Sequence, residues 1–152
     1  MSDYLGMAIE LAKKNASSGQ GGPFGAVLVK ENVLISTGVN QVTQSPDPSA
    51  HAEIMAIRHA AKQLGTHDLS GCVLYSSCEP CVMCMGAILW ARIESVIYAA
   101  SKDIAARFGF DDLNFWEQVQ GGKTPSICTH QTHSDQRVPF EQWQQDSDKI
   151  LY

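Results

Sequence analysis

His51-Ala52-Glu53 and, further along the chain, Pro80-Cys81-Val82-Met83-Cys84 are the stretches on which the reading of this sequence turns. His51, Cys81 and Cys84 are side chains that suit zinc, while Glu53 is a proton carrier that need not bind it. Cys81 and Cys84, at i and i+3, share one face of a helix that Pro80 favours at its start. Backbone N–H groups and the helix dipole stabilise thiolates at such a start. His51 opens another helix and can meet the two sulfurs across a sheet. Three protein ligands leave one tetrahedral position open, which separates a catalytic zinc from a structural one. Two thiolates and a neutral imidazole also cancel the dication, so a bound water keeps a nucleophilic, hydroxide-like form near neutral pH.

A Cys-x-x-Cys by itself is a weak signal. It could be half of a four-thiolate structural zinc or a thioredoxin-like redox pair. The first needs a second cysteine pair, and the chain offers only Cys72 and Cys78, too far apart in sequence. The second leaves His51 and Glu53 without a role.

Outward from these segments, Ile54, Ile57 and Ala61 form the inner face of a helix from His51 to about Leu64, and Cys81 to Trp90 forms another. Between them Val73-Leu74-Tyr75 is a short buried strand. Val96 to Ala99 is a strand that follows a helix and therefore suggests a parallel crossover. On the N-terminal side, Tyr4, Leu5, Ala8, Ile9, Leu11 and Ala12 recur at helical spacing over about residues 2–16. Residues 24–30 and 33–37 read as strands of a hairpin turning at Glu31-Asn32. Asn40 to Ala50, with Pro46 and Pro48, is a loop. Asp103–Arg107 and Phe115–Val119 are short elements, 120–138 is polar and weakly patterned, and Phe140 to Ile150 is a terminal helix. This order predicts an α/β layered domain with helices on both faces of a mixed sheet.

A chain of 152 residues is one domain that buries a core without disulfides. Its 44% hydrophobic and 18% charged content is that of a soluble globular protein. No secretory signal or membrane span is apparent. Five cysteines, an odd number and clustered, argue for reduced thiols in a cytoplasmic protein, with Cys72, Cys78 and Cys128 as unligated buried thiols. His59, His67, His130 and His133 have no ligand spacing with Cys81 and read as surface residues. The net charge of −5 disfavours a nucleic-acid partner, which calls for a basic stripe.

His-x-Glu with Pro-Cys-x-x-Cys is the signature of zinc-dependent nucleobase deaminases of the cytidine-deaminase-like superfamily. Over nearly its whole length the chain resembles bacterial guanine deaminases. The resemblance runs through Gly22-Pro23-Phe24-Gly25-Ala26-Val27, Asn40 with Thr43, Asp47 to Glu53 and Ser77 to Cys81. It continues through Gly86-Ala87-Ile88, Trp90-Ala91-Arg92, Gly109-Phe110-Asp111-Asp112 and Tyr152. The two zinc segments look equally like tRNA adenosine deaminases; the last three features favour the guanine enzymes.

The resemblance implies a three-layer α/β/α sandwich with a mixed five-stranded sheet and one zinc per subunit. It implies hydrolysis of guanine at C2 to xanthine and ammonia, with zinc-bound hydroxide as nucleophile and Glu53 as proton shuttle. It also implies a homodimer in which residues 120–152 form an arm that swaps between subunits, Tyr152 closing the neighbouring site. Among substrate contacts, the backbone at Ala52 sits at a helix start where free donors point outward. Asn40 can read a purine edge or be an ordinary turn asparagine. Phe24 and Trp90 can stack on the base or pack in the core, the resemblance placing Trp90 in the pocket. Asp112 can be a second proton shuttle or a helix cap. Alternatives are a guanosine deaminase, a tRNA adenosine deaminase, and a structural or redox zinc protein without catalysis. The expected partner is a small purine, with no nucleic acid and no membrane.

Overall fold

The computed structural model describes residues 3–122 and 124–152. Its elements in chain order are α1 (Tyr4–Ser17), β1 (Gly25–Lys30), β2 (Val33–Val39), α2 (Ala52–Leu64), β3 (Cys72–Cys78), α3 (Val82–Trp90), β4 (Ser95–Ala100), α4 (Lys102–Arg107), α5 (Asp112–Val119) and α6 (Val138–Gln145). Asp3 starts α1 by accepting the Gly6 N–H at 2.7 Å, the bond expected of an N-cap. β1 and β2 turn at Glu31 and Asn32, both with positive φ (50° and 61°). Two left-handed residues match the right-handed twist of the flanking strands. The Tyr4 hydroxyl donates to the Asn32 carbonyl at 2.7 Å, tying α1 to the hairpin.

The sheet order is β2-β1-β3-β4. β1 is antiparallel to both neighbours, and β3 and β4 run parallel through the α3 crossover. Alternation along the strands sorts the core into two layers. Ala26, Leu28, Cys72 and Leu74 face α2 and α3, meeting Ala52, Ala56, Ala60 and Ile88. Val27, Val29 and Tyr75 face the other way, against Ala8, Tyr4 and Leu11 of α1. The alanines let α2 lie close on the sheet. Closest is Gly38, where a Cβ would overlap the Ala52 carbonyl oxygen and crowd the Ala56 nitrogen.

The mixed α/β architecture is the expected one, but the sheet has four strands among the described residues, not five. After Ala100 the chain enters α4 and α5, and residues 120–152 carry no alternating apolar run that could extend the sheet beyond β4. The last helix is also shorter than expected: α6 ends at Gln145, before Asp146, whose backbone is extended (ψ 114°). Cys128 is exposed rather than buried, in a stretch of the arm whose described residues are almost all exposed. The four other histidines are exposed, as expected.

Candidate active site

His51 and Cys81 are the N-cap residues of α2 and α3, each with extended backbone (ψ 158° and 170°), so both helices begin at the cluster. His51 Nδ1 lies 3.5 Å from Cys81 Sγ and 3.5 Å from Cys84 Sγ. All three donor atoms fall within 4.8 Å of one another. Zinc bonds of about 2.3 Å to sulfur and about 2.0–2.1 Å to nitrogen in a tetrahedron put S and N about 3.5 Å apart. The donor set thus fits zinc in both chemistry and spacing. The Cys81 thiol is held down, to about 4, first by its hydrogen bond with Cys84 and also by His51. The same bond, with burial, holds Cys84 up. The hydrogen bond to Cys81 raises His51 against the opposing effect of burial.

Glu53, 5% exposed, is on the first turn of α2 beside this cluster. Ser76 Oγ donates to one carboxylate oxygen at 3.2 Å and the Cys84 thiol to the other at 3.4 Å. Burial raises its pKa, favouring the protonated form. Ser76 is itself buried, on the β3 face that carries Leu74, so the strand presents a hydroxyl to α2 where periodicity calls for an apolar side chain.

A cavity of about 260 Å³ opens at the cluster, lined by Phe24, Asn40, His51, Glu53, Cys81 and Phe110, with Asp112, Glu79, Gly22, Val42 and Thr43 completing it. Asn40, at 7% exposure, has a fixed orientation. Its Oδ1 accepts the Gly22 N–H at 3.3 Å and the Val42 N–H at 3.2 Å, which leaves its amide donors for the cavity. Asn15 of α1 braces this wall, donating to the carbonyls of Gly22 and Asn40 at 2.9 Å each. Phe24 meets Phe110 edge to face at 4.8 Å. Asp112 begins α5, and burial, followed by the Cys81 charge, raises its carboxyl. Cys78 nearby is pushed up to about 11 by burial and stays a neutral thiol.

Of the residues singled out in the sequence, His51, Glu53, Cys81, Cys84, Phe24, Asn40 and Asp112 come together here, and buried Ala52 opens α2 at its edge. Trp90 and Tyr152 do not reach this cavity within one chain. Their rings lie 5.8 Å apart in a separate groove of about 920 Å³, with Trp143, Ile57, Ala87 and Ile150. Ser76, Phe110 and Glu79 were not singled out. Phe110 stands in a segment quoted for its resemblance, and Glu79 directly precedes Pro80; for both the position was legible and the role was not.

No helix among the described residues is long and apolar enough to cross a membrane. A family model, the cytidine and deoxycytidylate deaminase zinc-binding region, matches residues 1–100. The chain is 45% identical to the guanine deaminase of Bacillus subtilis over 98% of its own length and 97% of that protein. It is 44% identical to a tRNA-specific adenosine deaminase of Aquifex aeolicus, over 64% of either chain. The X-ray structure of the Bacillus subtilis guanine deaminase superposes with a TM-score of 0.93, at 44% identity, covering 100% of this chain and 99% of that one. With the zinc-ligand geometry, the buried glutamate and these likenesses in agreement, the chain belongs to the family of cytidine and deoxycytidylate deaminases with a zinc-binding region.

Proposed function

We propose that this protein hydrolyses guanine at C2, releasing ammonia and leaving xanthine. The observation that carries the reading is the full-length likeness to the guanine deaminase of Bacillus subtilis, where the likeness to the tRNA deaminase covers 64%. The cavity of about 260 Å³ suits one bicyclic base, being smaller than the about 300–1,000 Å³ of sites for larger ligands.

His51, Cys81 and Cys84 would hold the zinc. When bound, it lowers the pKa of a water at the open ligand position and so makes a nucleophile available near neutral pH. Glu53 takes a proton from the water and hands it to a ring nitrogen of guanine, which makes C2 electrophilic. As the water oxygen adds, C2 becomes tetrahedral. Glu53 then moves the hydroxyl proton to the amino nitrogen, the C2–N bond breaks, ammonia leaves and the C2 carbonyl forms. The raised carboxyl of a buried Glu53 suits a group that must both take and give a proton. Asp112 stands on the cavity wall as a second proton carrier for the departing amine. Asn40 donates to an acceptor on the purine edge, the backbone at Ala52 donates from the first turn of α2, and Phe24 packs on the ring face.

The chain acts as one deaminase domain over 1–152, with 120–152 as an arm. The working form is a homodimer in which Tyr152, at the end of the arm, closes the neighbour's site. This is supported by the exposure that the arm leaves on one chain: Phe140 is 74% exposed, Leu151 76% and Tyr152 70%, and α6 buries no residue. Five free thiols suit the cytoplasm.

The test is ammonia release from guanine, guanosine, adenine, cytosine and cytidine by zinc-loaded protein. Guanine is expected to be the preferred substrate. Turnover of guanosine with none of guanine would overturn the assignment.

A further inference from the structure

Glu79 borders two cavities: the active-site cavity, and a second of about 400 Å³ lined by Lys102, Leu113, Trp116, Glu117 and Gln120. It therefore stands in the wall between the zinc-ligand loop and the segment from α4 to α5. Its carboxylate is used at both oxygens. One accepts the Lys102 backbone N–H at 3.0 Å, the other the Lys102 ammonium at 2.8 Å. The Glu79 N–H in turn donates to the Ala100 carbonyl at 2.7 Å. Ser101 occupies the N-cap of α4, yet its side chain makes no capping bond. A carboxylate from the end of β3 supplies it instead.

This tie carries more weight than its size suggests, because little else holds the segment. α4 has six residues and buries only Ala105, and α5 buries none. Among the ion pairs of the described residues, Glu79 with Lys102 is the most sheltered, at 18% and 31% side-chain exposure. Sheltered charge-assisted bonds are the ones that persist against solvent. Downstream, the chain reverses at Gly109 (φ 91°) and delivers Phe110 and Asp112 to the cavity wall.

We propose that Glu79 and Lys102 are positioning residues, fixing the α4–α5 segment to the zinc-ligand loop so that Phe110 and Asp112 face the bound base. The inference rests on the guanine reading for its kinetic arm alone. The fixed distance is that between Cys81, two residues beyond Glu79, and the wall that Lys102 begins. A purely structural pair would lower the fraction of folded, zinc-loaded protein, so kcat would fall with zinc content while KM stayed constant. A positioning pair weakens the hold on the base at full zinc content.

The experiment compares wild type, Lys102→Met, Glu79→Gln and Lys102→Arg, each assayed for zinc per chain, KM and kcat for guanine, and amide hydrogen exchange over residues 101–112 without substrate. Lys102→Met and Glu79→Gln are expected to raise KM about tenfold at unchanged zinc content. They should also speed exchange over 101–112, while Lys102→Arg stays near wild type. An unchanged KM, unchanged exchange, or a kcat that falls only with zinc each overturns the proposal. Failure of wild type to turn over guanine would instead count against the substrate, and the exchange comparison would still decide whether the pair holds the segment.

Discussion

Glu53 is enclosed between Ser76, whose hydroxyl donates to one carboxylate oxygen, and Cys84, whose sulfur lies 3.4 Å from the other. Replacing it with glutamine keeps the shape and removes the titrating group. Glu53→Gln is expected to retain zinc, measured by atomic absorption, and to lose ammonia release by about a hundredfold or more; full turnover in this variant would exclude Glu53 as the proton carrier. Ser76→Ala tests the support beneath it, with kcat expected to fall about tenfold at constant KM as the carboxylate loses its fixed direction. At Asn40 the two backbone donors on Oδ1 set the polarity of the contact. Asn40→Asp would present an acceptor where the amide donates, and KM for guanine should rise about tenfold or more. Ser76 was not legible in the sequence because a serine in a strand carries no signal of what the facing helix places opposite it.

α2 carries both His51 and Glu53 at its start, and its seat on the sheet is set by Gly38 beneath the Ala52 carbonyl. A methyl group there must push the helix off β2. Gly38→Ala is expected to lower unfolding stability by about 1–3 kcal/mol in urea titration and to weaken zinc retention, since the displaced end bears a ligand. Stability lost with zinc affinity intact would mean that the shift is absorbed elsewhere. The elements that build the site were legible for local reasons: helical spacing in α1, the short apolar runs of β1 and β2 on either side of Glu31-Asn32, and helix starts marked by His51 and Pro80. β3 extends to Cys78 although only Val73 to Tyr75 read as strand, because pairing with β1 and β4 carries its polar end. The residues themselves mark four strands, the number that form among the described residues, and the fifth came only from the resemblance; α6 ends before the expected Ile150 because the backbone turns extended at Asp146.

At the scale of the molecule, a zinc held by His51, Cys81 and Cys84 would join the starts of α2 and α3, so metal binding and folding would be linked. Chelation should abolish turnover and lower the melting temperature by several degrees, about 2–4 °C for each kcal/mol withdrawn. Acid should act in the same direction, because protons compete for the imidazole and the thiolates. The shared site can be tested by mixing chains after unfolding and refolding together: one carrying Glu53→Gln, the other lacking Tyr152. If the aromatic end serves the neighbour, mixed dimers contain one site with an intact Glu53 and an intact tail, and activity returns; if it serves its own chain, the mixture stays as inactive as its parts. One further property of the arm makes its path measurable without engineering. Four of the five thiols are buried, two of them in the cluster with His51, and the fifth, Cys128, is exposed in the arm. A maleimide spin label on the zinc-loaded protein should therefore attach at a single position per chain, and the distance between two labels in a dimer would report where each arm lies.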